Sequence, residues 1–111
     1  MLNIDSFLET ALWSTTDFNN ENLDSKYSAD DVSEEFKAKC EEVFKQFEEK
    51  AWHLFTDEEV ENSPIEHDLW LTIHGHGAGF WDGDYVNGDE LTEICKQLMS
   101  LEDDLRDDFL E

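Results

Sequence analysis

The chain has 111 residues, of which 39% are hydrophobic and 13% are aromatic, so it can bury one core and is not a disordered acidic tail. Its 30 acidic residues outnumber its 7 basic residues and give a net charge of -23, which disfavours direct binding to nucleic acids or anionic membranes because their phosphates carry the same sign. It starts without a basic segment and has no apolar run of about 18 residues, so we expect one cytoplasmic domain over residues 1–111, with no signal peptide and no membrane span.

The first predicted element is an amphipathic helix over residues 3–13, with Asn3 or Asp5 as its N-cap. Its apolar residues follow the spacing of one helical face: Ile4, Phe7, Leu8, Ala11 and Leu12. Residues 14–26 are polar and are predicted to form a loop.

The second and strongest predicted helix runs from Ser28 to Phe55 and begins with a capping signal, Ser28 followed by Asp31. Its apolar residues recur at steps of three and four: Val32, Phe36, Cys40, Val43, Phe47, Ala51 and Leu54. This stripe would span roughly 35 Å. Cys40 and Cys95 both occupy apolar helical positions, so we expect buried free thiols, with a disulfide as the less favoured alternative.

A strongly acidic connection is predicted over residues 56–66, and Pro64 within it favours extended backbone just before it. Residues 67–85 are predicted to form a β-hairpin because Leu69, Leu71 and Ile73 alternate with Trp70, Thr72 and His74. Glycines would provide the turn, and Phe80 would begin the second strand. The residues assigned a structural role in the hairpin are His74, Gly75, His76, Gly77, Gly79 and Trp81.

A last helical stripe follows the turn at residues 87–89 and predicts a helix that reaches towards the C-terminus, fraying at its acidic end. Its apolar residues are Leu91, Ile94, Cys95, Leu98, Leu101, Leu105 and Phe109. The predicted fold class is therefore α+β, with three helices and a β-hairpin in the order α-α-β-β-α, in one compact domain.

Three pairs of glutamates repeat every seven residues in the second helix, at 34–35, 41–42 and 48–49. Seven residues make almost two helical turns, so the pairs form a nearly straight anionic row on the solvent side. The row could imitate the phosphates of DNA, or it could be a solvated face supported by pairs such as Glu35–Lys39. The six residues are Glu34, Glu35, Glu41, Glu42, Glu48 and Glu49.

Two further acidic regions carry fewer bases, and we expect the strongest negative potential there. They comprise Asp57, Glu58, Glu59 and Glu61, and Asp103, Asp104, Asp107 and Asp108. Duplex DNA carries one charge per roughly 1.7 Å of axis, so 23 net charges correspond to about 39 Å of duplex. A compact body with the charge density of DNA is what a nucleic-acid mimic requires.

The histidines of the predicted hairpin suggest a metal site, because His74 and His76 lie close in sequence to His67, Asp68, Asp82 and Asp84. No spacing matches a zinc signature, so we expect His74 and His76 to be structural and expect no metal or cofactor. The segment from Asp82 to Glu93 fails the calcium-loop pattern at two positions, and no arrangement of nucleophile and base can be argued from the sequence. We therefore expect no enzymatic activity.

The segment HDLWLTIHGHGAGFWD resembles a short signature of small uncharacterised bacteriophage proteins. The matching residues are His67, Asp68, Trp70, Thr72, Gly75, His76, Gly77, Ala78, Gly79, Phe80, Trp81 and Asp82. The resemblance covers less than a quarter of the chain and implies a phage or mobile-element origin, but it implies no mechanism.

These observations favour an acidic inhibitor that occupies the nucleic-acid-binding surface of a basic host protein, with carboxylates in place of phosphates. For a phage protein, the target would be a defence system such as a restriction or CRISPR effector in the host cytoplasm. The alternative is a protein–protein interaction module that uses aromatic anchors without mimicry, and the third hypothesis is a small metal-dependent enzyme. Homodimerisation is left open.

Overall fold

The computed structural model describes residues 2–15, 22–25, 27–75, 79–82, 85–101 and 104–105. Over these ranges the chain is mostly helical and forms no β-strand, so the predicted α+β class and its hairpin are wrong. The α-helices are α1 (Ile4–Ser14), α2 (Glu34–Ala51), α3 (Asp57–Asn62), α4 (Ile65–His74) and α5 (Gly88–Cys95). Short 3-10 helices lie at Leu23–Ser25, Ala29–Asp31, Trp52–Leu54 and Phe80–Asp82.

Helix α1 confirms the first predicted element and begins after Asn3. The Asn3 side chain accepts a hydrogen bond from the Ser6 N–H at 3.1 Å, which satisfies one of the free donors of the first turn. Phe7 points into the core, where its ring meets Phe44 at 4.8 Å and Trp70 at 5.3 Å, both edge-on. The apolar face of α1 therefore packs between α2 and α4.

Helix α2 is shorter than the helix predicted over residues 28–55, because the chain contains two caps instead of one. The Ser28 N–H donates to the Asp31 carboxylate at 2.9 Å, but this contact supports only a single 3-10 turn. Val32 is extended, and Ser33 accepts from the Phe36 N–H at 3.1 Å to start α2. The helix then runs for 18 residues, about 27 Å.

Helix α3 replaces most of the predicted acidic connection. The Thr56 hydroxyl accepts from the Glu59 N–H at 3.1 Å, and the Glu59 carboxylate accepts from the Thr56 N–H at 2.8 Å. This reciprocal capping box starts a helix that the acidic composition had obscured. Acids in its first turn also interact favourably with the positive end of the helix dipole.

Helix α4 lies where the first hairpin strand was predicted. Pro64 precedes its first turn, where a missing N–H is harmless, and the Asp68 N–H bonds to the Pro64 carbonyl at 3.0 Å. Residues 69–72 are all buried, so the alternation that suggested a strand belongs to a helix enclosed on most sides. Gly75 ends α4 with a φ of 68°, the left-handed conformation that glycine adopts without strain.

Phe80 lies at the centre of the core and not on a second strand. Its ring stacks on Phe47 at 5.8 Å and meets Tyr85 edge-on at 5.0 Å, while its N–H donates to the Thr72 hydroxyl at 2.9 Å. A side chain at Gly88 would collide with the Phe80 carbonyl oxygen, so glycine allows α5 to approach closely. Residues Phe80–Asp82 thus pack between α4 and α5, and residues 76–78 of the predicted turn lie outside the described residues.

The last predicted helix is also shorter than expected, because α5 ends at Cys95. The apolar stripe continues into the core without a continuous helix, and Leu98, Leu101 and Leu105 are all buried. The Leu101 N–H donates to Nε2 of His74 at 2.9 Å, which ties this segment to α4. Phe109 lies outside the described residues.

Both thiols are buried and neither forms a disulfide, as predicted. Burial raises the pKa of Cys40 and of Cys95 to about 12, with the charge of Glu41 adding to the effect at Cys40. The folded state therefore favours the neutral thiol, and stability should fall as the pH rises through the pKa of the unfolded thiols, about 8.5–9, towards the folded value of about 12.

We expect neither thiol to react with a thiol reagent at pH 8 until the chain is unfolded in urea. The free energy of unfolding should be lower at pH 10 than at pH 8, and the double variant Cys40→Ala/Cys95→Ala should show less of this loss. Rapid native labelling of either cysteine would contradict the burial, and an equal loss in the double variant would contradict the linkage.

Candidate acidic interaction face

The glutamate row of α2 faces solvent over roughly 21 Å, from Glu34 to Glu48. Five of its six members are exposed and Glu48 is partly exposed, while the opposite side of α2 is buried in the core. Lysines partly offset the row: the Lys37 amine is 3.9 Å from the Glu34 carboxylate. The row is therefore available to a partner, but its charge is diluted.

Helix α3 presents a denser group of acids. Asp57, Glu58 and Glu61 are exposed, and within the described part of the chain no Lys or His side chain lies within 4.0 Å of them. Glu59 differs from its neighbours because it is buried, with 7% of its surface exposed. Its second carboxylate oxygen accepts from the Val86 N–H at 2.9 Å, so this carboxylate stabilises the fold and does not face a partner.

The start of α5 adds two acids that lie outside the acidic regions predicted from the sequence. Asp89 and Glu90 are exposed and line a depression of about 350 Å³ together with Trp81 and Val86. A second depression of about 360 Å³, beside Glu58 on α3, is also lined by Val86. We call these two depressions the Val86 groove. A capping box at Thr56-x-x-Glu59 and acids in the first turn of α5 were the sequence signals that could have located it.

Apolar side chains are exposed within this acidic region. Val86 is 76% exposed, Trp81 is 42% exposed and Val60, on α3, is 41% exposed. Trp81 was predicted to be structural in the hairpin, but it lies on the surface beside the buried Phe80. The face therefore combines carboxylates with apolar contact area.

The one C-terminal acid among the described residues, Asp104, lies beside α2 and not beside α3. The Asp104 carboxylate lies 3.5 Å from the Lys39 amine, so it adjoins the α2 row and forms an ion pair there. Asp103, Asp107 and Asp108, which were predicted to contribute to the strongest potential, lie outside the described residues. An exposed pair of this kind contributes little to stability.

Among the described residues, His74 contacts the main chain at Trp70 and Leu101, whereas its predicted packing on the glycine turn stays a prediction because residues 76–78 lie outside them. Its Nδ1 lies 2.8 Å from the Trp70 carbonyl oxygen, and its Nε2 accepts from the Leu101 N–H, which assigns the proton to Nδ1. His67 contacts the Thr10 hydroxyl at 3.3 Å. His76, Gly77 and Asp84 lie outside the described residues, among which no group of three or more His, Cys, Asp or Glu side chains could hold a metal.

Tyr85 and Asp68 form a polar contact beneath the Val86 groove. The Tyr85 hydroxyl donates to the Asp68 carboxylate at 2.6 Å. Burial, together with this hydrogen bond, raises the pKa of Tyr85 far above its ordinary value. The hydroxyl therefore stays protonated and fixes the floor of the groove.

Comparison of the chain with protein-family models, with curated proteins and with solved structures finds no match. No helix among the described residues is long and apolar enough to cross a membrane.

Proposed function

We propose that this protein is an acidic inhibitor that occupies the nucleic-acid-binding surface of a basic host protein. The observation that carries the proposal is the set of exposed carboxylates on α3 and at the start of α5. Among the described residues, none of these carboxylates has a basic side chain within 4.0 Å, and the one ion pair of α5 lies further along, between Glu93 and Lys96. Unpaired carboxylates keep their charge available to the lysines and arginines that normally bind phosphates.

The dimensions of the molecule agree with this proposal. Its longest axis is 40 Å, and dividing this length by the 23 net negative charges gives about 1.7 Å per charge. Duplex DNA has one charge per roughly 1.7 Å of axis. A basic groove that accommodates duplex DNA would thus meet a comparable charge density on this protein.

The mechanism would be competitive, because the inhibitor and the nucleic acid would need the same basic groove. The signature resemblance implies a phage or mobile-element origin, and for a phage protein we propose a defence protein of the host, such as a restriction or CRISPR effector, as the target. Exposed Trp81 and Trp13 support a second candidate, a binding module that uses aromatic anchors without mimicry.

Neutralising the acids of α3 should weaken target binding without changing the fold. For the variant Asp57→Asn/Glu58→Gln/Glu61→Gln we expect about a tenfold loss of affinity at low salt, because each exposed carboxylate contributes a few tenths to about 1 kcal/mol. Wild-type affinity should itself fall steeply as salt rises, since exposed charges are screened over about 8–10 Å at physiological ionic strength. The target is first captured from host lysate, identified and purified, and its release by duplex DNA is then measured.

The matched control neutralises three exposed acids on and near α1, in the variant Asp5→Asn/Glu9→Gln/Asp24→Asn. This control variant changes the net charge by the same amount as the α3 variant. If the acids of α3 contact the target directly, the control variant should lose much less affinity for the target. Equal losses in both variants would indicate a general charge effect. An affinity that hardly changes with salt, or a target that binds DNA and this protein together, would exclude mimicry and favour the aromatic-anchor candidate.

A further inference from the structure

The Val86 groove combines three kinds of chemistry in one place. Val86 supplies an aliphatic contact, Trp81 supplies a half-exposed aromatic ring, and Asp89 and Glu90 supply carboxylates. Exposed apolar groups that are rimmed by charged side chains are typical of interaction sites. The groove therefore has contacts to offer beyond the charge that an acidic surface provides.

We infer that the Val86 groove binds an arginine side chain from a basic segment of the partner. A guanidinium is planar and weakly hydrated, so it can stack on the Trp81 ring while it pairs with the carboxylate of Asp89 or Glu90. The methylene stem of the same arginine would cover Val86. This inference rests on the proposed function, because such arginines are the ones with which nucleic-acid-binding proteins hold phosphates.

Lysine fits the groove less well. Its ammonium is a compact, strongly hydrated charge, which pairs with a carboxylate but gains less from an aromatic ring at an exposed position. The groove should thus distinguish two residues of equal charge, whereas a purely electrostatic surface would not. This difference separates the inference from the general attraction of a protein with net charge -23 for basic partners.

The groove is also held in place by contacts with the fold. The Val86 N–H donates to the buried Glu59, and the neighbouring Tyr85 donates to Asp68. Close packing of Gly88 against the Phe80 carbonyl fixes the start of α5, which carries the two acids. A preformed site of this kind needs little reorganisation to bind a side chain.

Trp13 is the other exposed tryptophan, and it is a weaker candidate for this role. Its ring centroid lies 5.6 Å from that of His67, so one side of the ring already has an aromatic neighbour. It lines a separate depression with Glu9 and Asp24, two of the residues of the α1 control. Trp13 therefore provides a matched control on another face of the same protein.

The test uses three synthetic peptides of one sequence and length in which the basic positions are all arginine, all lysine or all citrulline. Binding to the purified full chain is measured by fluorescence anisotropy of a labelled peptide at several salt concentrations. We expect the arginine peptide to bind about three- to tenfold more tightly than the lysine peptide, and the uncharged citrulline peptide to bind weakly. Trp81→Ala should abolish this preference while leaving the affinity of the lysine peptide nearly unchanged, and Trp13→Ala should leave the preference intact.

The results separate this inference from the proposed function. Salt-sensitive binding of both basic peptides with equal affinity would overturn the arginine site and leave mimicry standing. An arginine preference that survives in Trp81→Ala, or that is lost in Trp13→Ala instead, would also overturn the site. A preference that depends on Trp81 but not on salt would support the site and exclude mimicry, and absence of binding by either basic peptide at low salt would overturn both.

Discussion

The variant Phe80→Ala should lose about 3–5 kcal/mol of unfolding free energy, the largest effect that we expect from a single substitution. Phe80 is fully buried, and its ring contacts Phe47, Phe55 and Tyr85 at centroid distances of 5.8, 5.9 and 5.0 Å. Truncation would leave a cavity among three aromatic rings that cannot all close into it. This loss is a large fraction of the roughly 5–15 kcal/mol by which domains of this size are stable.

The adjacent residue provides the control for this measurement. Trp81 is 42% exposed, so Trp81→Ala should change the urea midpoint much less than Phe80→Ala, although the deleted side chain is larger. Urea unfolding followed by circular dichroism measures both variants. If the two substitutions had equal effects, the assignment of Phe80 to the core and of Trp81 to the surface would be wrong.

Removal of the buried carboxylate in Glu59→Ala should destabilise the fold by about 2–4 kcal/mol. The carboxylate accepts one hydrogen bond from the Thr56 N–H at 2.8 Å and another from the Val86 N–H at 2.9 Å. Hydrogen bonds to charged groups contribute about 1.5–3 kcal/mol each, and part of this loss is offset because the variant no longer buries a charge. The first bond caps α3 and the second holds the segment before α5. Alanine would lose both contacts at once.

Glu58→Ala is the matched control, because it removes the same charge from the exposed neighbour and should change stability by less than about 0.5 kcal/mol. Glu59→Gln should lie between the two, since an amide keeps one acceptor oxygen but turns a donor towards one N–H. Amide exchange of Val86 should also become faster in Glu59→Ala. Equal stability of the Glu58 and Glu59 variants would contradict the buried role of Glu59.

Helices with a clear apolar face could be predicted from the sequence, and helices buried on most sides could not. The spacing from Ile4 to Leu12 located α1, because one side of α1 faces solvent, and Asn3 was one of the two N-caps predicted for it. In α4, residues 69–72 are all buried, so this part of the helix lacks the difference between an apolar and a polar face by which helical periodicity is recognised. Gly75 then ended a helix where a hairpin turn was expected.

The candidate site was predictable only in part, for a similar reason. The acids of α3 stood out by composition, and the capping-box spacing from Thr56 distinguishes Glu59 from Glu58, but this spacing does not show that the Glu59 carboxylate is buried. The proximity of Val86 to α3 depends on a contact between residues 27 positions apart. Asp89 and Glu90 could be recognised in the sequence as acids of a first helical turn, but their position beside α3 depends on that contact.

The bond from Glu59 to Val86 has a consequence for the kinetics of association. A helix of six residues is far too short to be stable alone, so α3 depends on its tertiary contacts for its shape. Because one carboxylate holds both α3 and the segment before α5, the charges on these two elements are fixed relative to each other before a partner arrives. Encounter would then require orientation but no ordering of the chain, and long-range attraction could steer a basic partner to a rapid, salt-sensitive association.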